Sequence, residues 1–181
     1  MRGVFWMRIV LLGPPGCGKG TQAKILSKKL KLPIISTGDL IRNEIKKKSK
    51  FGLLAKKYND KGLLIPGKYA ADLIKKNVEN KTKYILDGFP RDLSQAKKFG
   101  DKNIDKVVYI YASNKVIIKR LLRRAKIEGR KDDTFEIIKK RILVYEKETK
   151  PLLKYYKNKL IKVNGDKDLK EVTREILKKL K

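Results

Sequence analysis

Histidine does not occur in this chain, and cysteine occurs once, as Cys17. Those two absences exclude an intramolecular disulfide, a zinc site built from cysteine and histidine, and imidazole acid–base catalysis. A lone thiol predicts a reducing compartment, the cytoplasm. Acidic residues are scarce: 19 Asp and Glu stand against 48 Lys and Arg, a formal net charge of +29. No apolar run approaches the roughly 20 residues that cross a membrane, so no membrane partner is expected. The N-terminal apolar stretch of residues 4–12 does not read as a secretory signal, because it runs directly into a glycine-rich loop without a small-residue cleavage site. Met7 is an alternative start, which would make residues 1–6 a short extension. No internal repeat and no low-complexity linker divides the chain.

What is present is globular. Hydrophobic residues make up 41% and charged residues 37% of 181 positions, enough for one domain with a real core. Two readings of the charge stay open. It suits a polyanion partner, with non-specific nucleic acid binding as one outcome. Lysine is nevertheless spread along the whole chain, in runs such as Lys46–Lys48, Lys75–Lys76 and Lys178–Lys179, as solvated helix faces are.

Short apolar runs at Ile9–Leu12, Pro33–Ser36, Tyr84–Asp87, Lys106–Tyr111 and Leu160–Val163 predict buried parallel strands. Between them the periodicity predicts helices over Lys19–Leu30, Asp39–Lys48, Gly52–Lys61, Lys68–Asn80, Asn114–Arg124, Phe135–Lys157 and Asp168–Leu180. Asp132-Asp133-Thr134 reads as an acidic start to the long sixth helix. Strand–helix alternation predicts an α/β fold, a P-loop-type parallel sheet of about five strands flanked by helices, with ligands at the carboxyl ends of the strands. Residues 37–82 are nearly all helical and far longer than one crossover needs, so they predict a small helical subdomain.

Directly after the first strand comes Gly13-Pro-Pro-Gly16-Cys17-Gly18-Lys19-Gly20-Thr21-Gln22. A strand feeding a glycine-rich turn that ends in Gly-Lys is a phosphate cradle. Backbone N–H groups converge, the next helix presents its positive end, and Lys19 adds a full charge. Gly20 stands where Ser or Thr is usual, with Thr21 one later. After the second strand comes Ser36-Thr37-Gly38-Asp39-Leu40-Ile41-Arg42. After the third comes Asp87-Gly88-Phe89-Pro90-Arg91, with Gln95 four residues on. Asp87 ends an apolar strand, the position from which a carboxylate manages a magnesium shell. Arg120, Arg124, Arg130 and Arg141 follow in a chain that otherwise prefers lysine. Guanidinium forks of this kind stabilise a transferring phosphoryl group.

On these three motifs the chain resembles the adenylate kinases, in their short-lid form, from Met7 onward. The resemblance implies reversible transfer of the terminal phosphoryl of Mg·ATP to AMP, giving two ADP. It implies that Gly13, Gly16, Cys17, Gly18, Lys19, Gly20 and Thr21 hold the ATP phosphates. Arg120 packs on the ATP adenine, beside the turn of Gly165 and Lys167. Thr37, Arg42, Leu63, Leu64, Ile65, Gly88, Arg91 and Gln95 bind AMP, with Arg42 and Arg91 on its phosphate and Thr37 and Gln95 at its base. Arg124, Arg130 and Arg141 clamp phosphates, and Asp132 and Asp133 orient the lid. Lys19, Arg91, Arg124, Arg130, Arg141 and Asp87 form the catalytic set. Mg2+ arrives with ATP and meets Asp87 through water; no zinc is implied. A monomer is the family's usual form. The implied divisions are a core of residues 1–36, 83–124 and 134–181, an NMP-binding subdomain 37–82 and a lid 125–133.

Only Ala125–Gly129 separates Arg124 from Arg130, where other family members insert a long lid. A lid that closes over the nucleotides is a motion for which adenylate kinases are themselves a standard example; a smaller travel is expected here. Phe89 and Tyr145 are expected to pack rather than stack on a base. A thiol reagent at Cys17 is expected to block ATP. A UMP/CMP kinase of the same fold is the nearest rival, and Thr37 with Asp39 argues for the adenine type. A nucleotide-gated RNA-binding protein is the rival from another class, although no RNA-recognition signature is present.

Overall fold

Apolar side chains at Ile9, Val10, Leu11 and Leu12 alternate between the two faces of the first strand, and all four are buried. A strand buried on both faces belongs in the middle of a parallel sheet. The computed structural model places it there. It describes residues 7–129 and 133–181. The strands are β1 (Arg8–Leu12), β2 (Ile34–Ser36), β3 (Tyr84–Asp87), β4 (Lys106–Tyr111) and β5 (Leu160–Asn164), parallel throughout in the order β2-β3-β1-β4-β5. Leu11 pairs with Asp87 on one side and with Val108 on the other. The chain leaves β1 where the strand order reverses, so the crevice at its carboxyl end is where a doubly wound sheet binds ligands.

Helices cover both faces. Ile9, Leu11, Ile85, Val108 and Ile110 pack against Ala23 and Leu26 of α1 (Lys19–Leu30) and Val172 and Ile176 of α9 (Leu169–Leu180). On the other face Val10, Leu12, Leu86 and Val107 meet Ala70 and Ile74 of α4 (Gly67–Val78), Phe99 of α5 (Leu93–Phe99) and Leu152 of α8 (Leu152–Tyr155). A third cluster, Ile117, Leu121 and Ile138, joins α6 (Asn114–Glu128) to α7 (Phe135–Val144). Between β2 and α4 lie α2 (Thr37–Lys46) and α3 (Lys50–Asn59). Ser36 and Ser49 start them, each hydroxyl accepting a backbone N–H of the first turn, from Asp39 and Gly52.

Three segments depart from the periodicity. The helix predicted over Phe135–Lys157 is broken: α7 ends at Val144, Tyr145–Thr149 widen into a π-turn, and α8 begins after Pro151. Pro151 has no N–H to continue the ladder; the Lys150 N–H donates to the Tyr145 carbonyl, five residues back. Helix α5 was not expected. Helix α6 runs to Glu128, past the predicted end at Arg124, and stops at Gly129 in the left-handed region. The start of α7 also differs. Thr134 caps it by accepting from the Ile137 N–H, and Asp133 is drawn inward instead.

Candidate functional site

The loop after β1 is closed upon itself. Gly13 has φ 148°, and a Cβ there would fall 2.2 Å from the Ile110 carbonyl oxygen, so only glycine lets the loop leave the sheet. Lys19 folds back over the turn, its Nζ donating to the Gly13 and Pro14 carbonyls at 2.8 Å each and reaching Cys17 Sγ at 3.6 Å. Helix α1 begins at Gly18 with no side chain capping its first N–H groups. The α1 start therefore offers unsatisfied donors and the positive end of the helix dipole to an anion. The Cys17 thiol is enclosed within the turn, where a Cβ on Gly13 would fall 2.7 Å from its Sγ, and the residue is 2% exposed and packs in the core. Its backbone can serve phosphates, but the expected block by a thiol reagent first requires the loop to open.

Asp87, at the carboxyl end of β3, faces this turn. A Cβ on Gly20 would lie 3.4 Å from Asp87 Oδ2, so the bare backbone of the loop meets the carboxylate. Burial pushes the Asp87 carboxyl above its usual range, with the charges of Lys19 and Arg91 pulling the other way. A carboxylate disfavoured by burial and set beside a polyphosphate cradle suits a hard, oxygen-seeking cation held mainly by water and phosphate. Magnesium fits these residues.

Arginines surround the same cleft, whose volume is about 1130 Å³. Arg120 donates to the Gly165 carbonyl at 2.9 Å, tying α6 to the turn after β5. Arg124 grips Asp133 through two bonds of 2.7 and 2.9 Å, and Arg141 donates to the same carboxylate at 2.6 Å. The Asp133 side chain is fully enclosed, so one buried acid aligns two guanidinium forks from different helices. Asp133 thus acts on the arginines themselves, which its expected part in starting α7 did not include. Arg130 and Asp132, expected in the phosphate clamp and the lid, lie outside the described residues.

A smaller pocket opens off the cleft. Thr37, Leu63, Leu64, Ile65, Gly88, Arg91 and Gln95 line it, and Gly88, Arg91, Leu63 and Leu64 line the cleft as well. The Thr37 hydroxyl is buried and has no hydrogen-bond partner among the described residues. A buried orphan hydroxyl is costly unless something meets it. Arg91 Nε donates to the Gly88 carbonyl at 2.8 Å, and the Phe89–Pro90 bond is cis. Arg42, on α2, pairs with Asp39. Burial works to raise the Asp39 carboxyl, but the bonds from Arg42 and Ser36 outweigh it and hold it below the usual range.

The structure thus brings Lys19, Asp87, Arg91, Arg120, Arg124 and Arg141 around one cleft, with Arg42, Gly165 and Lys167 on its walls. The Lys167 ammonium turns to Glu175, 3.5 Å away. Phe89 is wholly buried against the Phe99 ring, as expected of a packing residue. Tyr145 is almost wholly buried but also borders the cleft. Sequence reasoning missed Thr149. It lies in the π-turn, lines the cleft, and donates from Oγ1 to the Arg91 carbonyl at 2.6 Å. Nothing local signals a contact between positions so far apart. It also missed Asp92, although Asp92-x-x-Gln95 is a helix-start pattern. Asp92 caps α5 and accepts from the Gln95 N–H at 2.8 Å. Among the described residues no helix is long and apolar enough to cross a membrane.

The sequence model of the family described as adenylate kinase matches residues 11–161. The chain is similar to "Adenylate kinase 1" of Nostoc sp., 42% identical over 181 aligned residues that cover 93% of this chain and 96% of the relative. The adenylate kinase of Encephalitozoon cuniculi is 43% identical over 162 residues, covering 88% and 90%. That of Mycolicibacterium paratuberculosis is 45% identical over 175 residues, covering 92% and 94%.

Proposed function

The chain belongs to the adenylate kinase family and is a phosphotransferase acting between ATP and AMP; from that premise we propose how its own residues divide the work. The observation that carries this reading is a single cleft lined by both Lys19 and Arg91, with the pocket of Thr37 and Gln95 opening off it.

ATP lies with its phosphates over the α1 start. Lys19 leaves the Gly13 and Pro14 carbonyls for the phosphate oxygens, keeping its donors satisfied while following the charge. Residues 13–21 supply N–H groups. Arg120 fixes the Gly165–Lys167 turn and offers its planar face to the base. AMP enters the smaller pocket, where Arg42 and Arg91 hold its phosphate, Thr37 and Gln95 meet the adenine, and Gly88 with Leu63–Ile65 closes around it. The AMP phosphate oxygen then forms a bond to the terminal phosphorus of ATP as the bond from that phosphorus to the bridging oxygen breaks. Arg124 and Arg141, aligned by Asp133, neutralise the equatorial oxygens during transfer, with Arg130 as a third clamp and Asp132 as part of the lid. No side chain acts as a strong general base; positioning and charge carry the rate. Magnesium, when bound with ATP, supplies charge neutralisation between the phosphates, and Asp87 is the residue that would hold its water shell.

The same reading makes residues 37–82 a subdomain that moves with AMP and 125–133 a short lid that excludes water. Membership of the family, whose usual form is a monomer, supports a monomer. A sequence with one cysteine, which forms no intramolecular disulfide, supports a reducing compartment, the cytoplasm. A non-specific hold on nucleic acid would follow from net charge alone and would vanish with salt. Lys19→Met tests the mechanism. The rate should fall about 100- to 1000-fold with the circular dichroism spectrum and melting curve preserved. An active variant defeats the assignment.

A further inference from the structure

Gln95 is 2% exposed and its carboxamide is held by both ends. Oε1 accepts from the Arg91 N–H at 2.8 Å, and Nε2 donates to Asp92 Oδ2 at 2.7 Å. A backbone N–H can only donate and a carboxylate can only accept, so these two partners fix which end of the amide is oxygen and which is nitrogen. Asp92 is itself held. Its Oδ1 accepts from the Gln95 N–H at 2.8 Å and from Ser94 Oγ at 2.6 Å.

We propose that Asp92 is a specificity-determining positioning residue, which orients the Gln95 carboxamide so that the pocket accepts a 6-aminopurine monophosphate and rejects a 6-oxopurine. The proposal rests on the reading of that pocket as the AMP site. After its two internal bonds, the carboxamide keeps one lone pair on Oε1 and one hydrogen on Nε2 for a base. Adenine presents the complement on its Watson–Crick edge: a donor at N6 and an acceptor at N1. Hypoxanthine and guanine present an acceptor at O6 and a donor at N1, which needs the amide turned over. Turning it over sets the Gln95 oxygen against the Asp92 carboxylate and the Gln95 NH2 against the Arg91 N–H, two like-polarity contacts in a buried place. The glutamine alone does not choose between the two bases; the Asp92 carboxylate, together with the Arg91 N–H, does.

The test compares AMP with IMP as acceptors for Mg·ATP in wild type, Asp92→Asn and Asp92→Ser. Asparagine and serine both still cap a helix, so α5 is kept, while the acceptor facing Gln95 Nε2 is replaced or removed. The expected result is a raised KM for AMP, a much smaller change in kcat, and a fall in the AMP:IMP ratio of kcat/KM between about 5- and 150-fold, the worth of one bidentate base contact. An unchanged ratio in a folded variant overturns the proposal. If neither variant folds, the wild-type Gln95 side-chain amide resonances decide. Slow proton exchange supports the lock and rapid exchange overturns it. Wild-type protein that favours AMP while the variants keep its ratio defeats this inference alone. Wild-type protein inactive on both monophosphates defeats the AMP-site reading, and this inference falls with it.

Discussion

At Asp87 position changes chemistry most. An ordinary Asp carboxyl titrates near 3.8, but burial at the end of β3 raises this one, and Lys19 and Arg91 offset only part of the rise. Its proton is therefore taken up at a higher pH than an exposed carboxyl's as the solution is acidified. With Asp87 protonated, the group proposed to orient the magnesium shell is neutral. The value of kcat/KM for Mg·ATP, which reports the free enzyme, should fall on the acid side at a pH above the ordinary carboxyl range, and the residual kcat/KM of Asp87→Asn should lack that limb. A wild-type profile flat down to the ordinary range contradicts this role. Single residues of the cradle were legible in the sequence because a tight phosphate turn tolerates few residue types. The arginines stood out because lysine is otherwise preferred here. Thr149 was not legible: it contacts Arg91 from 58 positions away, through a π-turn that reads locally as ordinary helix. The inward turn of Asp133 was hidden for a similar reason, since an acid before a helix is more simply read as part of its start.

The elements around the AMP pocket depend on one close approach. A Cβ at Gly52 of α3 would fall 2.0 Å from the carbonyl oxygen of Glu44 and 2.4 Å from its carbon, both backbone atoms of α2 that cannot rotate away. Gly52→Ala should pry α2 from α3 and cost about 1–3 kcal/mol, the usual range for overpacking. Because Thr37 and Arg42 ride on α2, KM for AMP should rise more than KM for ATP. Melting curves and the two KM values check this; equal changes in both would contradict it. The positions of the strands and of most helices along the chain followed from apolar periodicity, since buried parallel strands are short continuous runs and covering helices keep a 3.6-residue stripe. The segments that escaped it have physical reasons. Helix α5 spans seven residues, too few for a period to emerge, although its Asp92 cap was present in the sequence. The long predicted helix from Phe135 kept its pattern through residues where Pro151 forbids the ladder, so amphipathic spacing outlived the helix itself.

Across the whole molecule the charge is diffuse. The first acidic residue is Asp39, and the net +29 extends over every part of the chain. Ion pairs such as Arg8–Asp105, at 2.7 Å, offset a small share of it. Self-repulsion of so many cations weakens the folded state and is screened over a Debye length of about 10 Å at 0.1 M salt. The melting temperature should therefore rise as ionic strength increases from low values, and an unchanged or falling value would show that repulsion is not a significant term. Scattered charge gives no base selectivity, so the choice of acceptor rests with the pocket of Thr37, Arg91 and Gln95. The most direct measurement is to incubate the protein with Mg·ATP and, separately, AMP, UMP, CMP and GMP, and to follow the diphosphate formed. Rapid conversion of AMP with ATP to two ADP, and far slower reaction of the other three, is the expected result. Preference for a pyrimidine monophosphate, or no transfer to any of the four, would contradict it.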